Sequence, residues 1–458
     1  MRRRITRASA VVNSMEFFIT TYIDSPTKNI DKGWMSKMEN KISNLVDERL
    51  EELVQLLADL VRFPTVSPPA RNTTGVQRYI QDFLAQEKFE TVSWDVFPGD
   101  PNVVGVKKGT DGNLYNSLII NGHIDVAEVG DETEWTVPVF ELTTKDGNAY
   151  GRGTSDMKGA VAATLLAVKL LNELGVELKG DLQIQTVIGE EAGEAGTLSC
   201  MEKGYTADFA LVVDGSDRQI HGQGGVITGW ITIKSKEVFH DAMRMSMLHA
   251  GGSVNGASAI EKMMKVIAGL QDLERHWAVT KKYPGFAPGT TTINPAVIEG
   301  GRHAAFVADE CRLWITVHFY PNETYQSVTK EIEEHLNHVA KADTWLRENP
   351  IHFRWGGKSM IEERGEIFPA LEMNADHAAV QLLAHCHEQT EKSPAIIGMS
   401  RSVTDAGWLG AAGIPTVIYG PGKLEEAHSV DEKINIEELV VFTKTLMLFI
   451  NEWCNTKK

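Results

Sequence analysis

The chain has 458 residues, 42% of them hydrophobic and 23% charged, a composition that excludes a disordered or fibrous protein and, at this length, predicts two or three structural units rather than one core. Lys and Arg total 45 against 62 Asp and Glu, and the formal net charge of -17 repels nucleic acid and anionic lipid, so neither is an expected partner. Cys200, Cys311, Cys386 and Cys454 stand far apart with no C-x-x-C pair, which excludes a disulfide framework and a thiolate zinc site and fits a cytoplasmic protein; no apolar run reaches the ~18–20 residues that span a bilayer.

Residues 1–37 open with Arg2, Arg3 and Arg4 and then mix apolar with polar positions. They lack the apolar core of a signal peptide and read as a non-native or disordered extension, with Met35 and Met38 just ahead of the first clear helix. From Glu39 to Arg62, apolar residues recur at helical spacing until Phe63-Pro64 and Ser67-Pro68-Pro69 stop them. After a second helix over Val76–Gln86, short buried strands are predicted at Leu118–Asn121, Leu182–Ile188 and Phe209–Val213, and a helix over Met157–Leu174 closed by Gly175. Such alternation predicts an α/β fold, a mostly parallel sheet with helices on both faces.

The texture changes after Gly225. Strands at Gly229–Lys234, Thr290–Ile298, Cys311–Phe319 and Ile351–Trp355 alternate with helices over Ala257–Leu270 and Glu323–Ala340, the order of an inserted ferredoxin-like α+β unit. Beyond Phe368 the larger unit resumes with a helix at Ala375–Gln389, a strand at Pro415–Tyr419 and a closing helix at Ile436–Trp453. The expected organisation is 38–224 with 357–458 as one domain and 225–356 as the insertion.

Several strands of the larger unit run directly into acidic or histidine residues. LIINGHID ends on His123 and Asp125, QIQTVIGEE on Glu190 and Glu191, and FALVVDG on Asp214; Asp156 lies in GRGTSDMKG just ahead of a helix, and His428 follows PTVIYGPGKLEEAH. In open α/β sheets the carboxyl ends of the strands form the ligand crevice, where these side chains would converge. Imidazole and carboxylate ligands without thiolate suit Zn²⁺ and accept Co²⁺ or Mn²⁺. Two imidazoles and three carboxylates suffice for two ions if one carboxylate bridges, and such ions share a hydroxide and polarise a carbonyl. Glu190 and Glu191, with Glu194 nearby, also have the look of a solvated acidic loop. His335, His338, His385 and His387 sit on predicted helices among polar neighbours and read as surface residues. Asp156 in place of a third glycine excludes a dinucleotide loop, and no H-E-x-x-H is present.

NGHIDV, GRGTSDMKGAVAA, GEEAGEAGT, VVDGS and GPGKLEEAHSVDE resemble, in order and spacing, the motifs of the dinuclear zinc aminoacylase and carboxypeptidase family, which includes acetylornithine deacetylase and succinyl-diaminopimelate desuccinylase. The resemblance runs from about Met38 to Cys454. It implies that His123 and Asp214 hold one ion, Glu191 and His428 the other, and Asp156 bridges them. Asp125 would fix the imidazole of His123, and Glu190 would be the general base. The insertion resembles the family's lid and dimerisation domain, implying a homodimer and a lid histidine that stabilises the oxyanion: His240 in WITIKSKEVFHDAM, with His249 as runner-up.

The chain departs from its relatives where a substrate carboxylate would be read. Ala305 stands at an asparagine position, Ala308 at a proline, His318 replaces a strand arginine, and VTDAGW puts Gly407 where another arginine is expected. Asn294, Arg302 and Arg401 remain as candidate substrate contacts. The leading expectation is an acetylornithine deacetylase-like amidohydrolase that removes a short acyl group from a small N-acyl substrate. The alternatives are a formylaminopyrimidine deformylase, a dipeptidase or carboxypeptidase, and a non-catalytic binding protein.

Overall fold

The computed structural model describes residues 32–243 and 256–458. In chain order its strands are β1 (Glu90–Phe97), β2 (Asp100–Lys107), β3 (Leu118–His123), β4 (Thr143–Lys145), β5 (Asn148–Tyr150), β6 (Leu182–Val187), β7 (Phe209–Val212) and β8 (Ile220–Gly222). There follow β9 (Gly225–Lys234), β10 (Ile293–Gly300), β11 (Glu310–Phe319), β12 (His352–Trp355), β13 (Ile367–Phe368), β14 (Ile397–Met399), β15 (Thr416–Ile418) and β16 (Lys433–Asn435).

The large sheet runs β1-β2-β6-β3-β7-β15-β8-β14. Its middle strands β6, β3, β7 and β15 are parallel, while the β1–β2 hairpin adds an antiparallel edge that the sequence reading lacked. β3 and β6 are buried at every position because helices cover both faces. Leu118, Ile120 and Leu211 point into a core made with helices Lys158–Glu173 and Ile436–Cys454. Their neighbours Ile119, Ala210 and Val212 point the other way, onto Ala406 and Leu409 of helix Ala406–Ala411. Each fully buried Leu or Ile contributes about 1.5–3 kcal/mol.

The helix expected as one piece over Glu39–Arg62 is two, Lys32–Glu48 and Leu50–Val61, stepped at Arg49, whose guanidinium turns outward to Glu52 and Glu173. The first begins at Lys32, so residues 32–37, expected to be part of an extension, are its opening turns; residues 1–31 lie outside the described residues. Helix Lys158–Glu173 ends as expected: Gly175 takes φ +68, and Val176 donates its N–H back to Leu171 O.

The second sheet runs β10-β11-β9-β12 with antiparallel pairings, and β13 adds to β9. Helices Ala259–Thr280 and Tyr325–Lys341 cover one face around Ile231, Val266, Leu313, Ile332 and Leu336, a core separate from the first. This is a ferredoxin-like strand order. The chain enters and leaves this unit side by side: Gln223 and Leu371 exchange both backbone hydrogen bonds (3.1 and 3.0 Å), and Gln223 Nε2 donates to Pro369 O and Thr404 O.

Of the four helix histidines expected at the surface, His338 is exposed and His335 and His385 are half-buried. His387 is buried instead, its Nδ1 sharing a 2.9 Å hydrogen bond with the Tyr419 hydroxyl. Helix Ala378–Glu391 turns this face onto the core, which pattern alone did not reveal.

Candidate metal centre

The carboxyl ends of the parallel strands bring the expected ligands together. His123 is the last residue of β3, and its Nε2 lies 3.0 Å from Asp156 Oδ1. His428, held at φ +59, places Nε2 2.8 Å from Glu191 Oε2 and 3.4 Å from Asp156 Oδ2. Among the described residues, His123, Asp156 and Asp214 form one cluster and Asp156, Glu191 and His428 another, with ligand atoms of each within 4.8 Å. Asp156 belongs to both. Tetrahedral Zn²⁺ with bonds of about 2.0–2.1 Å holds its ligands roughly 3.3 Å apart, which the observed spacings bracket.

The electrostatics also fit cations. Glu191 Oε1 is buried and, among the described residues, has no hydrogen-bond partner. Burial, reinforced by the charge of Asp156, pushes Glu191 and Asp214 up to about 7. Burial raises Glu190 well above the usual carboxylate range. Asp156 goes the other way: burial opposes ionisation, but the imidazoles of His123 and His428 outweigh it and hold the carboxyl low. His428 in turn is raised to about 10 by its bonds to Asp156 and Glu191. Four carboxyl groups so close, and so deeply set, ionise together only with compensating positive charge, which divalent ions would supply.

Asp125 corrects an expectation. The imidazole of His123 bonds through Nδ1 to the backbone carbonyl of Asp125 at 3.0 Å, and the Asp125 carboxyl is farther, at 3.6 Å. The carboxyl instead accepts N–H bonds from Gly189 (2.9 Å), Glu190 (3.3 Å) and Glu191 (3.1 Å). Asp125 therefore orients the histidine with its main chain and pins the turn of both glutamates with its side chain.

Two further acids do comparable work and were missed from sequence. Glu432 is buried and accepts bonds from the backbone N–H groups of Gly153, Ser155 and Asp156 and from Arg152 Nη1 at 2.8 Å, so it shapes the loop that presents Asp156. It stands four residues after His428, inside a recognised motif, which was its signal. Glu194, which resembled part of a solvated loop, is buried and pairs with Arg71 at 2.7 Å.

Asp156, Glu191, Asp214 and His428 face a cleft of about 370 Å³ between the two sheets. Glu190, Lys423 and Ser402–Thr404 line it on one side, and Val226, Thr316, His318, Glu366 and Phe368 on the other. Arg401 lines a smaller adjoining cavity with Phe286 and Tyr320. Asn294 and Arg302 do not line the cleft: Asn294 lies exposed on β10, and Arg302 pairs with Asp309 at 3.1 Å. His240 is exposed beside Asp241 and likewise lies outside the cleft lining of the single chain. His249 lies outside the described residues. At Gly407 a Cβ would fall 1.8 Å from Pro369 O, so this position has no room to send a side chain toward substrate.

With this geometry in place, the family is plain: the model of Peptidase family M20/M25/M40 matches residues 119–452. The chain belongs to that family and is a hydrolase of linear amide bonds. It resembles an N-formyl-4-amino-5-aminomethyl-2-methylpyrimidine deformylase of Bacillus subtilis, 59% identical over 424 residues, 92% of this chain and 100% of the relative. A deformylase of the same description from Halalkalibacterium halodurans is 58% identical, over 90% of this chain and 97% of that one. An acetylornithine deacetylase of Proteus mirabilis is 26% identical over 90% and 99%. Among solved structures, an M20 family metallo-carboxypeptidase of Sulfolobus solfataricus shares the fold, with a TM-score of 0.67, 16% identity and coverage of 88% and 100%. No described helix is long and apolar enough to cross a membrane.

Proposed function

We propose that this chain hydrolyses the formamide of N-formyl-4-amino-5-aminomethyl-2-methylpyrimidine, releasing formate and the free aminomethylpyrimidine. The observation that carries the reading is the 59% identity extending over the whole of the Bacillus subtilis deformylase. It displaces the acetylornithine deacetylase-like expectation, whose relative stands at 26%. Among the described residues, no arginine lines the cleft to grip an α-carboxylate bidentately.

His123 and Asp214 would hold one divalent ion, Glu191 and His428 a second, with Asp156 between them; the imidazole and carboxylate set favours Zn²⁺. Such ions, when bound, supply Lewis acidity and a water acidified toward neutral pH. Glu190 lines the cleft beside them and moves the proton: its carboxylate takes one from the attacking water and returns it to the departing nitrogen. Asp125 keeps Glu190 and Glu191 in register through their backbone N–H groups.

Formate release from the formylated pyrimidine by zinc- or cobalt-loaded enzyme tests the reading, with N-acetylornithine as the competitor. Preferential hydrolysis of N-acetylornithine would overturn it.

A further inference from the structure

One wall of the cleft is a patch of sheet. His318 on β11 lies opposite Val226 on β9, which lies opposite Phe368 on β13, so the three form a row across the strands. A second row lies two residues along: Thr316 opposite Thr228, and beside it Glu366, whose N–H donates to Thr228 Oγ1 at 2.9 Å while its carbonyl accepts from Thr228 N–H at 3.2 Å. Side chains two apart on a strand share a face. Glu366 therefore points the same way as Phe368, Val226 and His318, and all four line the cleft.

The Glu366 carboxyl is half-buried and, among the described residues, meets no cation and accepts no hydrogen bond; burial is the one influence acting on it, and it raises the group. Its Oε2 lies over Gly193, where a Cβ would stand 2.6 Å from that oxygen, so the glycine clears its place beside the turn of Glu190 and Glu191. A carboxyl withdrawn from water without donors is costly unless a ligand brings them. Every other acid at this depth in the site has a partner or a place in a metal cluster: Asp156, Asp214 and Glu191 in the clusters, Asp125 on the backbone N–H groups of Gly189, Glu190 and Glu191, Asp405 on the Thr197 hydroxyl, Glu194 on Arg71 and Glu432 on Arg152. Glu366 and Glu190 are left, and Glu190 is assigned to proton transfer.

The surroundings define what the ligand must be. Val226, Phe368 and Val403 offer flat apolar contact, and Glu366 offers an acceptor oxygen beside a second oxygen at carboxyl spacing. We infer that Glu366 is a specificity-determining residue that reads the amidine edge of a 4-aminopyrimidine, accepting the exocyclic amine N–H on one oxygen and, as the protonated carboxyl, donating its O–H to the adjacent ring nitrogen from the other, while Phe368 and Val226 pack on the ring. The inference rests on the deformylase reading and adds to it the group that selects the ring.

The test compares N-formyl-4-amino-5-aminomethyl-2-methylpyrimidine with the same compound lacking the 4-amino group, using metal-loaded wild type, Glu366→Leu and Glu366→Ala. Wild type should favour the amino compound by roughly 10- to 100-fold in kcat/KM, the discrimination expected of a paired two-bond contact. In both variants that preference should collapse, chiefly through KM, while kcat/KM on the deamino compound, which keeps the ring-nitrogen contact, falls by a smaller factor than on the amino compound. Parallel losses on both compounds, or an unchanged preference, would overturn the role of Glu366. A wild type that treats the two compounds alike overturns it even where a variant fails to fold. If wild type releases formate from neither compound, the deformylase reading falls. Calorimetric binding of the deformylated aminopyrimidine, lost in Glu366→Leu, would then still support the contact, and absence of binding to wild type would overturn it.

Discussion

Arg71 meets Glu194 in two parallel bonds of 2.7 Å, and that pair ties the segment following the first helices to the loop that carries Glu190 and Glu191. Ser359 Oγ donates to the same carboxyl at 2.5 Å, so the chain returning from the inserted sheet is fastened there as well. Because Glu194 is buried, removing its partner strands a charge. Arg71→Leu should cost about 3–5 kcal/mol, seen as a lower midpoint of thermal unfolding, with turnover falling alongside. A variant as stable as wild type would show that the pair is dispensable.

Asp125→Ala removes the acceptor for three backbone N–H groups without replacing a candidate metal ligand. Metal affinity should fall roughly 10- to 100-fold as the Glu190–Glu191 turn loosens. Equilibrium dialysis against zinc measures this directly, and wild-type affinity in the variant would contradict the anchoring role.

Glu190→Ala should keep the metal content of wild type and lose about 10²- to 10⁴-fold in kcat, because the residue moves a proton and holds no ion. Metal analysis beside formate release separates the two functions. Loss of metal together with activity would reassign Glu190 as a ligand.

His221, within the large sheet, is pushed by burial down to about 4. The sign follows from the depressed value: below about 6.5 the unfolded chain binds a proton that the folded chain refuses, so this contribution to stability is lost as pH falls from about 6.5 toward 4. By pH 5 the loss should be on the order of 2 kcal/mol. His221→Asn should flatten the fall of the unfolding midpoint between pH 7 and 5; an identical slope in both proteins would rule His221 out as its source.

Gly407→Ala should destabilise by about 1–3 kcal/mol, because its Cβ would meet Pro369 O, and should not alter substrate preference. A shift in preference at unchanged stability would mean that the position faces the substrate after all.

The largely parallel sheet, and the gathering of the candidate ligands at one end of it, were legible because β3, β6 and β7 each run into an acidic or histidine residue: apolar runs as in Leu118–Asn121 mark buried strands, and the polar residue that breaks each run points to the crevice. Less legible were elements whose partners are distant in sequence. β1 is largely exposed and lacks a simple alternation, so nothing local separated it from a loop. Glu194 resembled a surface acid, and Glu432 drew no reading, because their partners, Arg71 and Arg152, are far away along the chain. Asp125 was assigned to the imidazole on strand spacing, but a carboxyl can reach a neighbouring turn more readily than it can bend back two residues. His387 looked solvated because its neighbours are polar, whereas helix packing decided its burial.

The reciprocal bonds between Gln223 and Leu371 have a mechanical meaning. A ribbon of two paired chains flexes about the line joining its bonds more easily than it slides, because sliding would break both together. Gln223 Nε2 rivets the ribbon to Pro369 and Thr404, so its root stays with the larger sheet. Thr404 itself lines the cleft, which places the pivot at the cleft's own edge. A swing of the insertion would then change the width of the opening while leaving opposite walls in the same alignment.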